Sequence, residues 1–300
     1  MITVDAERLS DALVTGALGV FALALVAYAV AAALARTTAM ARTPVPVGAA
    51  GAAGPVDAPE PTTRPSTGVD RSAAALTLLG TCLVTLAVVA RGVAAGRAPW
   101  GNMYEFSLTG SAAAAVAFVI YRRTRPVDAM APWIVAFVLV LLGLSVTSFY
   151  TPADDLVPVL NSRWLVVHVA SAIISGGLFT VGAIATVVHM VRQRRGATDS
   201  DPFASLAHTV HLAAFPIWTF AVIAGAVWAE NAWGRYWGWD PKETWAFITW
   251  VFYAAHLHAL STAAWRRRAG WLAIAGFLAF IFNFYGVNLW IPGLHSYAGV

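Results

Sequence analysis

Eight apolar runs separated by short basic or proline-containing connections dominate this chain. The first spans Ala12 to Ala35, and seven more follow at roughly Ser72–Ala90, Phe106–Tyr121, Ala131–Tyr150, Trp164–Val191, Leu212–Ala229, Trp245–Trp265 and Ala269–Ile291. Most approach the ~20 residues that a helix needs to cross a hydrocarbon core ~30 Å thick; the Phe106 run is short. With 59% apolar and 11% charged residues, the chain carries more apolar surface than one soluble core of 300 residues can bury. The expected fold class is all-α: a polytopic membrane protein with about eight transmembrane helices.

The first run has no basic segment before it and is too long for a signal-peptide core, so residues 1–35 predict a retained helix. Residues 36–71, rich in Pro, Gly, Ala and Thr, cannot bury enough to order themselves and predict a flexible cytoplasmic linker. Residues 72–300 then form a seven-helix core. Placing the linker and the arginine clusters at 122–125, 192–195 and 266–268 in the cytoplasm puts 13 of the 19 Lys and Arg residues inside. Eight crossings then leave both termini extracytoplasmic. The single cysteine, Cys82, excludes a disulfide framework, a Cys-x-x-Cys redox pair and a Cys-x-x-Cys-His attachment site. The net charge of +4 resides beside the apolar runs, which makes membrane lipid the partner of the surface and gives no argument for nucleic acid.

One stretch is built differently. Trp228 to Trp245 places Trp228, Trp233, Trp237, Trp239 and Trp245 with Tyr236 in eighteen residues, interrupted by Gly234 and Gly238 and closed by Asp240-Pro241. Helix breakers at these positions predict a shaped loop across 228–245. An interfacial aromatic belt would spread its rings over several segment ends. A platform for a planar, largely apolar cofactor accounts better for the concentration of indoles. The segment WGRYWGWD resembles the tryptophan-rich WWD signature of the haem-handling proteins of cytochrome c maturation.

On the topology above, two histidines share the membrane face of this stretch: His168, early in its helix, and His295, in the carboxy-terminal tail. Neutral imidazole is a common iron ligand, and two of them supply both axial positions of a haem. Within the helix after the tryptophan stretch, His258 lies thirteen residues beyond Trp245, about 20 Å along the axis. An ionisable group at that depth is a functional candidate. His256 competes with it, since about 200° of rotation separates the two and both cannot face one cofactor. His189, His208 and His211 are expected at interfaces. Asp240 is expected to cap the following helix, with a catalytic role as its alternative, while Asn102, Tyr104 and Glu105 are expected to brace the site.

The likeness extends further. GRAPWGNMYEF, LNSRWLVVHV, WDPKETWAFITW and GVNLWIPGLHSY are similar, in the same order, to segments of the CcsA family, also called ResC, or CcsB in actinobacteria, of System II cytochrome c biogenesis. The resemblance implies that Trp228, Trp233, Trp237, Trp239 and Asp240 belong to a cofactor-binding surface for haem b. It also implies that His168 and His295 are the iron's axial ligands there, and that His258 is a second, transmembrane ligand whose counterpart comes from a ResB-type membrane partner. By their own chemistry, as charge-assisted donors, Arg235 and Lys242 are expected to face the propionates of such a haem. By this likeness the chain is a multi-pass protein of a bacterial plasma membrane that presents haem to an apocytochrome c bearing Cys-x-x-Cys-His. It would contribute positioning to a haem lyase complex and no catalytic acid or base of its own. An integral b-type cytochrome that passes electrons is the alternative.

Overall fold

A computed structural model describes residues 2–41, 68–154, 160–196 and 201–295; most of the expected linker therefore lies outside the described residues. No strand occurs among them. The helices are α1 (Ile2–Ala41), α2 (Gly68–Ala95), α3 (Met103–Thr124), α4 (Ala131–Ser148), α5 (Arg163–Gln193), α6 (Pro202–Trp233), α7 (Pro241–Ser261) and α8 (Ala269–Ile281). From α8 the chain passes through one π-helical stretch, Phe282–Gly286, into the short α9 (Val287–Trp290).

Among the described residues, seven spans are long and apolar enough to cross a membrane, the last combining α8 with its continuation to Trp290. The eighth expected crossing, α7, is 21 residues long but less apolar, since Lys242, Glu243, His256 and His258 interrupt it. The chain is a polytopic, all-α membrane protein, and large apolar side chains such as Leu23, Leu86, Val140, Ile223 and Leu278 cover its outer surface.

Two buried clusters hold the bundle. One joins α1 to α4 with parts of α5 and α6 around Phe21, Tyr104, Phe118 and Leu142. The other joins α5 to α8 around Phe179, Trp218, Tyr253 and Phe280. Close helix approach depends on small residues: a Cβ at Gly177 of α5 would lie 2.8 Å from the Ala113 backbone of α3.

At one end a buried polar network ties the first cluster together. Glu105 accepts from Arg91 Nε at 3.1 Å, Arg97 Nη1 at 2.7 Å and the Gly101 amide at 2.8 Å, while Asn102 Oδ1 caps α3 by accepting from the Glu105 amide. Arg91 also donates to Glu7 and to the Thr151 carbonyl. Buried charges stay charged only where they are paired and hydrogen-bonded in this way.

Several expected boundaries change. α1 begins at Ile2 and runs to Ala41, and α2 begins at Gly68, so both ends of the expected 36–71 linker are helical. The helix before the tryptophan stretch begins at Pro202, ten residues earlier than the apolar run, because Asp201-Pro202 supplies an N-terminal stop with Pro in the first turn. It also continues through Trp233, so the expected loop of 228–245 contracts to 234–240. Gly234 ends α6 with φ +70°, a conformation that favours glycine, and its amide returns to the Glu230 carbonyl.

Candidate functional site

The start of α5, the end of α6, the 234–240 loop, the start of α7 and residues 291–295 converge on one cavity of about 340 Å³. Its size falls in the usual range for small-molecule sites, ~300–1,000 Å³. Aromatic walls come from Trp100, Phe106, Trp228, Trp237 and Phe284.

His168 and His295 both line this cavity. His168 sits five residues into α5 and donates from Nδ1 to the Ala221 carbonyl of α6 at 2.7 Å. Gly225 makes this approach feasible, since a Cβ there would lie 2.7 Å from the same nitrogen. His295 donates from Nδ1 to Asp240 Oδ2, also at 2.7 Å. Each imidazole thus has one nitrogen committed to an oxygen, which fixes Nε2 as the lone-pair nitrogen available to a metal.

Asp240 does more than cap. It forms a capping box with Glu243 at the start of α7, and its Oδ1 accepts the Leu294 amide at 2.7 Å. One carboxylate therefore starts a helix, holds the tail against the loop and orients a histidine. Burial alone would raise its pKa, but the hydrogen bonds from His295 and the Leu294 amide outweigh that and hold it below the ordinary 3.8. Asp240 is absent from the cavity wall, but it accepts a hydrogen bond from His295, which lines it.

The tryptophans divide. Trp228 and Trp237 line the cavity, whereas Trp233 packs edge-on behind His295 with ring centroids 4.9 Å apart. Trp239 is 65% exposed and meets Trp237 edge-on from outside. Neither Trp233 nor Trp239 forms part of this wall. Because α6 continues through Trp233, five helical residues set Trp228 and Trp233 about 140° apart. Trp239 has φ 56°, which turns the chain at that point. Lys242 lines the cavity with Nζ 5.0 Å from the Phe284 ring centre; Arg235 lies over Gly238 and is absent from the lining.

A family model described as "Cytochrome C assembly protein" matches residues 100–295. The chain belongs to the cytochrome c assembly family. Its CcsA-named relatives put it with the System II proteins. It is 32% identical over 251 residues to the cytochrome c biogenesis protein CcsA of Guillardia theta, covering 74% of this chain and 83% of that one. The CcsA of Prochlorococcus marinus (strain MIT 9312) is 33% identical over 263 residues, with 75% and 84% covered. That of Chlamydomonas reinhardtii is 34% identical over 230 residues, with 72% and 65% covered. The solved cytochrome c haem lyase CcmF shares the fold at TM-score 0.70 and 16% identity; the match spans 93% of this chain but only 46% of CcmF.

In this CcsA-family chain the remaining histidines separate by face. His258 lies in the last turn of α7 and is exposed on the bundle surface. His256 faces inward, donating from Nδ1 to the Ala269 carbonyl at 2.8 Å and accepting at Nε2 from His211 Nδ1 at 3.1 Å. His211, expected at an interface, is instead completely buried against Gly182, whose missing side chain makes room for the ring. His189 pairs with Asp201 at 3.0 Å near the start of α6. Sequence reasoning also missed Gly225, Asn283 and Asn288, all three on the cavity wall.

Proposed function

We propose that this chain binds haem b in the cavity, with His168 and His295 as axial ligands, and presents it for attachment to an apocytochrome c. The observation that carries the reading is that two imidazoles, 127 residues apart in sequence, line one aromatic cavity with each Nδ1 already engaged. Porphyrin supplies four nitrogens to its iron, so the protein owes two ligands and a flat apolar container. His168, His295, Trp228, Trp237 and Phe284 provide that donor set.

The work of the chain is placement. Vinyl groups held toward the outer face meet the thiols of Cys-x-x-Cys-His; sulfur bonds to the inner vinyl carbon and the thiol proton moves to the outer one. The addition consumes no electrons, and what the site contributes is proximity and orientation. With both axial positions filled by imidazole, the iron would offer no open position to dioxygen while it waits. His258, exposed on α7, is suited to share a second haem with a ligand from a ResB-type membrane partner. Arginine clusters at the inner ends of the helices support an arrangement in which the site faces out of a bacterial plasma membrane, with both termini on that side.

An integral b-type cytochrome would use histidines paired within the bundle, and His211 with His256 is such a pair. Their nitrogens are 3.1 Å apart and hydrogen-bonded. An iron between two ring nitrogens needs about 4 Å, twice a metal–nitrogen bond of ~2.0 Å. That spacing favours the haem-presenting reading.

The test is a pyridine haemochrome measurement on purified wild type and on His168→Ala, His295→Ala and His258→Ala, each with and without its membrane partner. Haem loss reversed by added imidazole is expected for the histidine variants, with His208→Ala as wild type. Equal retention in all of them would refute the assignment.

A further inference from the structure

The wall of the cavity carries two side chains that ligation does not use. Asn283, 8% exposed, lies in the π-helical stretch and holds a buried Oδ1 without a hydrogen-bond partner. Asn288, on α9, holds a buried Nδ2 in the same condition. Both line the cavity, as does Lys242. Buried polar atoms are nearly always satisfied, and each orphan calls for a group that completes it. A π-helical stretch within an α-helix is itself a frequent mark of a functional site.

The three side chains have one chemistry in common. A carboxylate accepts from the Lys242 ammonium and from the Asn288 amide, while Asn283 Oδ1 accepts a remaining ammonium N–H. Ammonium alone would hold an anion with little direction; flanking amides add geometry. We infer that Lys242, Asn283 and Asn288 form a carboxylate subsite that holds the propionate edge of the porphyrin. The inference rests on the haem reading above and adds what that reading lacks, a means of fixing rotation about the iron axis. Propionates and vinyls occupy opposite edges of protoporphyrin. Anchoring one edge at the α7 and α9 wall therefore decides where the vinyls emerge.

The experiment compares haem with its dimethyl ester, which keeps the iron and both vinyls but lacks free carboxylates. Each is titrated into the full chain and followed at the Soret band. Wild type is expected to prefer haem by about tenfold or more, the value of one or two charge-assisted hydrogen bonds. Asn283→Leu/Asn288→Leu, which keeps the branching of both side chains, should lower that preference at least about threefold, to what the Lys242 ammonium alone supplies, with an unchanged Soret maximum because the axial ligands are untouched. Removing orphaned amides should also leave the apo protein's thermal midpoint equal or higher, which keeps misfolding from mimicking the result. Equal affinities in wild type, as expected if water alone completes the asparagines, would overturn the subsite, as would an undiminished preference in the double variant. A fatty acid that abolishes the preference without weakening the diester would reassign the site to lipid carboxylates and overturn it too. Failure of wild type to bind either porphyrin, or unchanged binding in His168→Ala and His295→Ala, would instead defeat the haem reading and the subsite with it.

Discussion

Replacing Asp240 should weaken haem binding although the residue lies off the cavity wall. Its carboxylate accepts from the Leu294 amide and from His295 Nδ1, each at 2.7 Å, and hydrogen bonds to a charged group contribute ~1.5–3 kcal/mol apiece. At the lower end the two hold the tail in place by about 3 kcal/mol, or roughly a hundredfold in the docked population. Asp240→Ala is therefore expected to lower haem affinity about a hundredfold and to cost α7 its cap, about 1 kcal/mol more. Asp240→Asn keeps an acceptor oxygen and loses the charge, so about tenfold is expected, within the range for groups that orient a metal-binding histidine. Soret titration of the apo protein measures both. The decisive comparison repeats Asp240→Asn in a His295→Ala background, where the substitution should cost almost nothing because its effect passes through that imidazole. An equal loss in both backgrounds would refute the orienting role, and no loss in either would refute the latch.

Gly225→Ala should behave like a partial loss of His168, since its Cβ would collide with Nδ1; a broadened Soret band and imidazole-responsive affinity would report this, and a wild-type spectrum would contradict it. His256→Phe leaves the His211 N–H and the Ala269 carbonyl without partners, so thermal stability should fall by about 1–3 kcal/mol while haem affinity at the cavity holds. Loss of haem from that variant would return the buried pair to candidacy as a ligand site. Because the Asp240 carboxyl titrates below 3.8, its stabilising contribution is fully present above that pH and is lost as pH falls through the lower folded value. Apo-protein melting should lose this component only in strong acid, and Asp240→Asn should lack it.

The order of the helices and the convergence of His168, Asp240 and His295 could be read from hydropathy, arginine placement and motif likeness. Helical rotation requires only that His256 and His258 face different ways; it does not say which one turns inward, and the buried ring is that of His256 while His258 is exposed. What escaped was set by packing between helices. Nothing local to Gly225 or Gly182 shows that a histidine from another helix rests on it. The early start of α6 did leave a signal, since Asp201-Pro202 repeats the Asp240-Pro241 arrangement; polar Ser205, His208 and Thr209 concealed it. Trp233 belongs to α6 and not to the expected loop, because the glycine that ends the helix comes after it.

The latch at Asp240 also bears on how the protein is made. His168 is synthesised long before residues 294 and 295 emerge, and until they dock on that carboxylate the cavity has one imidazole and an open side. A nascent chain with all its crossings up to α7 already in the lipid would still be unable to grip a porphyrin between two ligands. On the haem reading proposed above, the half-built pocket would therefore hold a porphyrin less firmly than the finished one.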